Sequence, residues 1–278
     1  MIIDSLMLIA IPLFLTGLLS GFLAGLLGIG GGLVIVPILA YLLVWTGIND
    51  SFPMHIAIAT SLAIIVPTSI LSARSHMKLG NVDFSALRQL APCVFFGALG
   101  GGLIADGLDN ASLKVVFGAL AIILSASFFV KIIIIRQGLP KQPVPAAIGA
   151  VIGLLSALVG IGGGSMVVPT LTAFGWNVHR AVGSAAMMGL VISVPGMFGF
   201  ILAGADLAGR PPLSVGYVYL PAAAIVILAA FFTAPLGARI ASRINKDRLR
   251  RIFAVFLMIV GARLIYDGST ALGWLAQI

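Results

Sequence analysis

This 278-residue chain has no glutamate, and only 9% of it is charged. Its eight acids are all aspartates: Asp4, Asp50, Asp83, Asp106, Asp109, Asp206, Asp247 and Asp267. A soluble domain carries about 25% charged residues. So little polar surface excludes a soluble globule and predicts an all-α polytopic membrane protein. Cys93 is the single cysteine, so no internal disulfide is available and the compartment cannot be read from cysteine. No Lys/Arg run carries interleaved aromatics, so the net charge of +8 points to basic helix-end loops rather than nucleic acid. H-E-x-x-H, Walker A, G-x-S-x-G and C-x-x-C are all missing. The expectation is therefore no enzyme, no metal and no cofactor. No acid falls at the centre of an apolar stretch, which argues against a proton relay through a buried carboxylate. MIIDSLMLIA has no basic n-region and reads as an uncleaved first span rather than a signal peptide.

What is present is apolar sequence in ten stretches, roughly 5–28, 33–47, 54–73, 86–106, 112–135, 144–160, 165–176, 180–204, 214–241 and 249–267. A full span needs about 20 apolar residues. The second, sixth and seventh stretches are too short. The seventh, Ser165 to Trp176, reaches only roughly 18 Å as a helix. The chain also repeats itself. LLGIGGGLVIVP, with Gly28, Gly30, Gly31, Gly32 and Pro37, returns 132 residues later as ALVGIGGGSMVVP, with Gly160, Gly162, Gly163, Gly164 and Pro169. HIAIATSLA (His55 to Ala63) aligns with HRAVGSAAM (His179 to Met187) at an offset of 124, and GNVDF (Gly80 to Phe84) with GYVYL (Gly216 to Leu220) at 136. The repeats run over about 5–136 and 141–268, dividing the chain into an N-terminal unit, 1–140, and a C-terminal unit, 141–278. RQGLPKQPVP joins them.

Five stretches per repeat is an odd number, so the second copy is expected to be inverted. With both glycine turns returning inside the bilayer as helical hairpins, thirteen Lys/Arg residues fall on one face. Only Lys114, Arg210 and Arg263 fall on the other. The first face is then cytoplasmic and both termini lie outside. Gly17/Gly21/Gly25, Gly97/Gly101 and Gly149/Gly153 read as small-residue faces for close helix crossing.

Consecutive glycines at a helix start expose backbone N–H groups where the helix dipole adds positive potential, a nest suited to a small anion. The candidate binding residues are Gly30, Gly31, Gly32, Gly162, Gly163 and Gly164, with the hydroxyls of Thr60, Ser61, Ser165 and Ser184. Each has a plainer reading: glycines for close crossing, hydroxyls bonded to their own helix. Leu33 stands where the second repeat has Ser165, which implies an asymmetric pocket. His55, His179 and Arg180 are candidates for gating or proton coupling, or serve as helix-start and topology residues. Arg263 and Asp267, at i and i+4, read as a helix-end ion pair.

With these motifs in place, the chain resembles the TauE/SafE family of membrane transporters, the sulfite-exporter family. The resemblance rests on GLLGIGGGLVIVPIL, HIAIATSL, GNVDF, ALVGIGGGSMVVPTL, HRAVGSAA, GYVYLPA, and GARIASRI with RLRRIF, and it covers nearly the whole chain. Ala185 departs from the Thr-Ser pattern of the first repeat. The resemblance implies movement of sulfite, an organosulfonate such as sulfoacetate, or a related sulfur oxyanion across the cytoplasmic (inner) membrane of a prokaryote. The expected mechanism is alternating access, one repeat rocking against the other. A passive anion channel and a membrane assembly factor are the alternatives. Expected partners are the small anionic substrate and the lipid bilayer; a coupling proton or sodium ion and a homodimer are compatible with the reading.

Overall fold

The computed structural model describes residues 2–27, 31–129, 134–206, 209–240 and 246–274. Helices dominate them: α1 (Ile2–Leu27), α2 (Gly32–Trp45), α3 (Pro53–Lys78), α4 (Phe84–Ile104), α5 (Asn110–Phe129), α6 (Val144–Leu158), α7 (Gly164–Ala173), α8 (Val178–Ala203), α9 (Leu220–Ile240) and α10 (Lys246–Ala271). A 3-10 turn, Ala105–Gly107, ends α4. Among the described residues, α3, α4, α5, α8, α9 and α10 are long and apolar enough to cross a membrane. At 1.5 Å per residue, the 14 residues of α2, 15 of α6 and 10 of α7 fall short of a bilayer core of about 30 Å.

One boundary differs from expectation. The ninth stretch is not helical from residue 214; Ser214–Val215 (β1) pairs antiparallel with Val218–Tyr219 (β2) before α9 begins. Gly216 makes the reversal with φ +54°, and Val and Tyr suit a short, half-buried strand. Gly80, its counterpart 136 residues earlier, also has positive φ (+68°) and also precedes a helix, α4.

The offsets read from sequence recur in the interhelical contacts. α1 crosses α9, where a Cβ on Gly17 would meet the Val226 carbonyl at 2.9 Å. α6 crosses α4, where a Cβ on Gly149 would meet the Leu90 carbonyl at 2.9 Å. Gly149 is 132 residues beyond Gly17, and Leu90 is 136 before Val226. Gly21 against Ala230 and Gly153 against Val94 obey the same rule. α5 crosses α10 through Gly118 and Gly261, each facing the other's carbonyl, and Ser125 Oγ donates to Ala254 O at 2.7 Å along the same seam. Lipid tails are as apolar as leucine, so backbone contact at small residues holds such crossings. α3 and α8 cross at the centre, flanked by α2 and α7.

Candidate functional site

α2 begins at Gly32 with Gly31 as its N-cap; α7 begins at Gly164 with Gly163 as its N-cap. Gly30 lies outside the described residues. The two glycine turns touch each other: the bare α-carbon of Gly32 lies against the Gly160 carbonyl, leaving no room for a methyl group. Ser61 Oγ donates to that same carbonyl at 2.8 Å, so α3 ties the contact. Gly160 turns with φ +64° and packs on Ile58 of α3. Gly162 and Gly163 are buried. A Cβ on Gly163 would meet the Ala185 carbonyl of α8 at 2.5 Å and the Gly189 nitrogen at 2.9 Å. Backbone bonding into α7 starts with Val167 N–H to Gly163 O, so the N–H groups of Gly163 and Gly164 are the helix-start donors of this turn. Leu33 and Ser165 are both buried, at 0% and 2% exposure.

Thr60 and Ser184 are fully buried and bonded across the molecule. The Tyr219 N–H donates to Thr60 Oγ1 at 3.0 Å, and the Asp83 N–H donates to Ser184 Oγ at 2.9 Å. Tyr219 and Asp83 are themselves 136 residues apart and immediately precede α9 and α4. Each hydroxyl thus satisfies a backbone donor at a helix entrance from the other half of the chain, an arrangement that periodicity along one helix does not reveal.

His55 and His179, alike in sequence, have unlike surroundings. His55 is 2% exposed; its Nε2 lies 3.0 Å from both the Ala105 and Leu108 carbonyls and therefore donates, leaving Nδ1 without a partner among the described residues. Its ring stacks on Tyr217 at 4.9 Å and meets Phe52 edge-on. The Tyr217 hydroxyl donates to Asp106 Oδ1 at 2.8 Å, which ties the cluster to the turn that ends α4. His179 is exposed, with Nδ1 3.2 Å from Asn177 Oδ1.

Arg180, also exposed, has a partner that the sequence reading did not single out. Its guanidinium lies 3.6 Å from Asp83 Oδ2. Asp83 caps α4 through the Ser85 and Ala86 N–H groups and accepts from the Trp176 indole N–H at 3.0 Å. Partial burial opposes its ionisation, but the indole, the two backbone donors and Arg180 outweigh it and hold the carboxyl below the ordinary carboxylate range. An Asp directly before an apolar run was the available signal. Beside it lies a cleft of about 310 Å³ floored by Phe174, Gly175 and Trp176, with Gln137 and Arg180 on its walls. Because the folded-state pKa is depressed, the Asp83 contribution is complete above the ordinary carboxylate pKa and fades as pH falls through the lower native value. Asp83→Ala is expected to cost about 1–2 kcal/mol at neutral pH. Its deficit relative to wild type should shrink below about pH 4. Thermal unfolding of both proteins across pH checks this; a pH-independent deficit would count against an ionic role.

Arg263 Nε lies 3.2 Å from Asp267 Oδ2, the expected helix-end pair. Among the described residues, no three His, Cys, Asp or Glu side chains gather where they could hold a metal.

Comparison with known proteins now bears on this geometry. The family described as "Sulfite exporter TauE/SafE" matches residues 13–264. A probable membrane transporter protein of Haemophilus influenzae is 41% identical over 250 residues, covering 88% of this chain and 94% of that protein. A probable membrane transporter protein of Methanocaldococcus jannaschii is 30% identical over 260 residues, covering 91% and 95%. The probable membrane transporter protein YunE of Bacillus subtilis is 28% identical over 282 residues, covering 92% and 97%. No solved structure matches significantly. A family match over nearly the whole chain, full-length relatives named as transporters and, among the described residues, six apolar helices of spanning length agree: this multi-pass membrane protein belongs to the TauE/SafE family of membrane transporters.

Proposed function

We propose that the protein is a secondary transporter that moves sulfite, an organosulfonate such as sulfoacetate, or a related sulfur oxyanion across a prokaryotic cytoplasmic membrane by alternating access. The observation that carries this reading is the meeting of the two glycine turns. Gly32 abuts Gly160, and the N-terminus of α7 opens from the same junction with helix-start donors at Gly163 and Gly164. Oriented backbone N–H groups and hydroxyls replace the hydration of a small anion without a buried cationic side chain. The family description supports sulfur oxyanions as the class. Contacts that recur under the same offsets, Thr60 with Tyr219 and Ser184 with Asp83 above all, support two repeats related by a pseudo-two-fold axis, as inverted-repeat carriers have. The basic face is assigned to the cytoplasm, with both termini outside.

The test is thermal stabilisation of the detergent-purified protein by sulfite, sulfoacetate, thiosulfate, sulfate, taurine, acetate and chloride, at several pH values, with and without sodium. Ligands that bind only the folded state raise the melting point with the logarithm of their excess over Kd. A shift confined to sulfur anions, together with saturable counterflow in proteoliposomes, is the expected result. Conductance far above carrier turnover would replace the carrier by a channel.

A further inference from the structure

Phe84, Arg88, Ala91 and Phe95 stand at i, i+4, i+7 and i+11 of α4, a single stripe down one face of that helix. With Leu87 beside them and Val191 of α8 across from them, they line a groove of about 560 Å³. Phe84 is 63% exposed and Phe95 40%, while Leu87 is buried, so the groove opens outward from an apolar floor. Arg88 is the one charged group among the described residues that line it. No hydrogen bond or ion pair engages its side chain among the described residues. Asp83, the nearest acid along the chain, is committed to the α4 cap, the Trp176 indole and Arg180.

An unpaired cation beside lipid tails is costly unless its charged end reaches the membrane surface. Side chains on a helix lean toward its N-terminus, so Arg88 leans back toward Phe84 and the loop that follows Lys78. The same end of the molecule presents the exposed Arg74, Lys78 and Arg180, the basic face assigned to the cytoplasm. From Phe84 to Phe95, α4 rises about 16 Å, half of a bilayer core of about 30 Å. The groove therefore runs the depth of one leaflet, with a free cation at its headgroup end. Anionic lipids give the cytoplasmic leaflet its negative surface potential, and basic pockets between membrane helices bind their headgroups. A second copy of this chain fits the groove less well. A two-fold axis along the membrane normal would bring the Arg88 of each copy toward the other inside an apolar contact.

We propose that this groove is a lipid site: one acyl chain of an anionic phospholipid lies between α4 and α8, and Arg88 binds its phosphate. A guanidinium donates charge-assisted, bidentate hydrogen bonds to phosphate oxygens. The exposed rings of Phe84 and Phe95 flank the chain at its two ends. The site shares no residue with the glycine junction and does not depend on which anion is transported.

The experiment is native mass spectrometry of the detergent-purified, full-length protein. Phosphatidylglycerol and phosphatidylcholine with the same acyl chains are added in equal amounts, and the first lipid bound is counted. Wild type is expected to prefer phosphatidylglycerol by about fivefold. Arg88→Gln should bind the two lipids within about twofold of each other, while Arg88→Lys keeps most of the preference. Arg74→Gln, which removes a neighbouring charge outside the groove, should keep it fully. Ala91→Leu, which fills the groove, should lose the preference with Arg88 intact. Arg88 is exposed, so Arg88→Gln should melt with wild type; if it does not fold, Ala91→Leu decides, and an unchanged preference there overturns the site. Equal binding of the two lipids by wild type would overturn it too, as would a wild-type preference retained in Arg88→Gln. A wild-type dimer that Ala91→Leu splits into monomers would give the groove to a second copy and overturn the lipid site as well.

Discussion

Gly163→Val is expected to abolish transport while the protein still inserts in the membrane. Gly163 has φ −55° and ψ −26°, an ordinary helical conformation that any residue adopts, so the glycine is not there for backbone freedom. It is there for closeness: a Cβ would sit 2.5 Å from the Ala185 carbonyl and 3.1 Å from the Met188 side chain. Valine would force α7 off α8 and carry the helix-start donors away from the glycine junction. Overpacking of this kind costs about 1–3 kcal/mol, and the loss of donor placement is expected to cut transport about 100-fold or more, since even a displacement of about 1 Å has that effect on positioned groups. Membrane-fraction yield and sulfite counterflow measured together check it. Counterflow kinetics like wild type in a properly inserted variant would remove the glycine turn from the transport site.

The second large effect is expected in stability. Thr60→Ala leaves the buried Tyr219 N–H without its acceptor, at a cost of about 1–3 kcal/mol. Thr60→Ser keeps the acceptor and should lose little. Ser184→Ala should behave like Thr60→Ala, since it strands the Asp83 N–H in the same way. Thermal unfolding of the three variants tests the comparison, and Thr60→Ala as stable as Thr60→Ser would refute it. Sulfite affinity measured alongside separates a helix-entrance role from ligand contact: a lower melting point with unchanged affinity assigns Thr60 to the first.

How far the sequence reached follows from what kind of signal it carries. Runs of apolar residues broken by charge, proline and glycine gave the order of the ten α-helices among the described residues, because membrane helices need length and hydrophobicity more than partners. The 132- and 136-residue offsets anticipated that α2 and α7, and α4 and α9, begin at matching places. Residues 214–219 were misread as helix, since an apolar Val-Gly-Tyr-Val-Tyr stretch fits a buried strand as well as a helix start. Asp83 and Trp176 went unnoticed for a different reason. Asp83 and Trp176 are 93 residues apart, and no local pattern joins them.

The crossing partners of α1 and α6 have a consequence for how this molecule can be divided. α1, from the first half, is packed on α9 of the second; α6, from the second half, is packed on α4 of the first. The halves have exchanged their leading helices, so the chain is interlaced rather than hinged at its linker. Cut near Lys141, each fragment would present a bare glycine-lined face with nothing to cover it, and the two would be stable only when made together. Any large motion must divide the molecule along lines that cross the sequence midpoint, carrying α1 with α9 and α4 with α6.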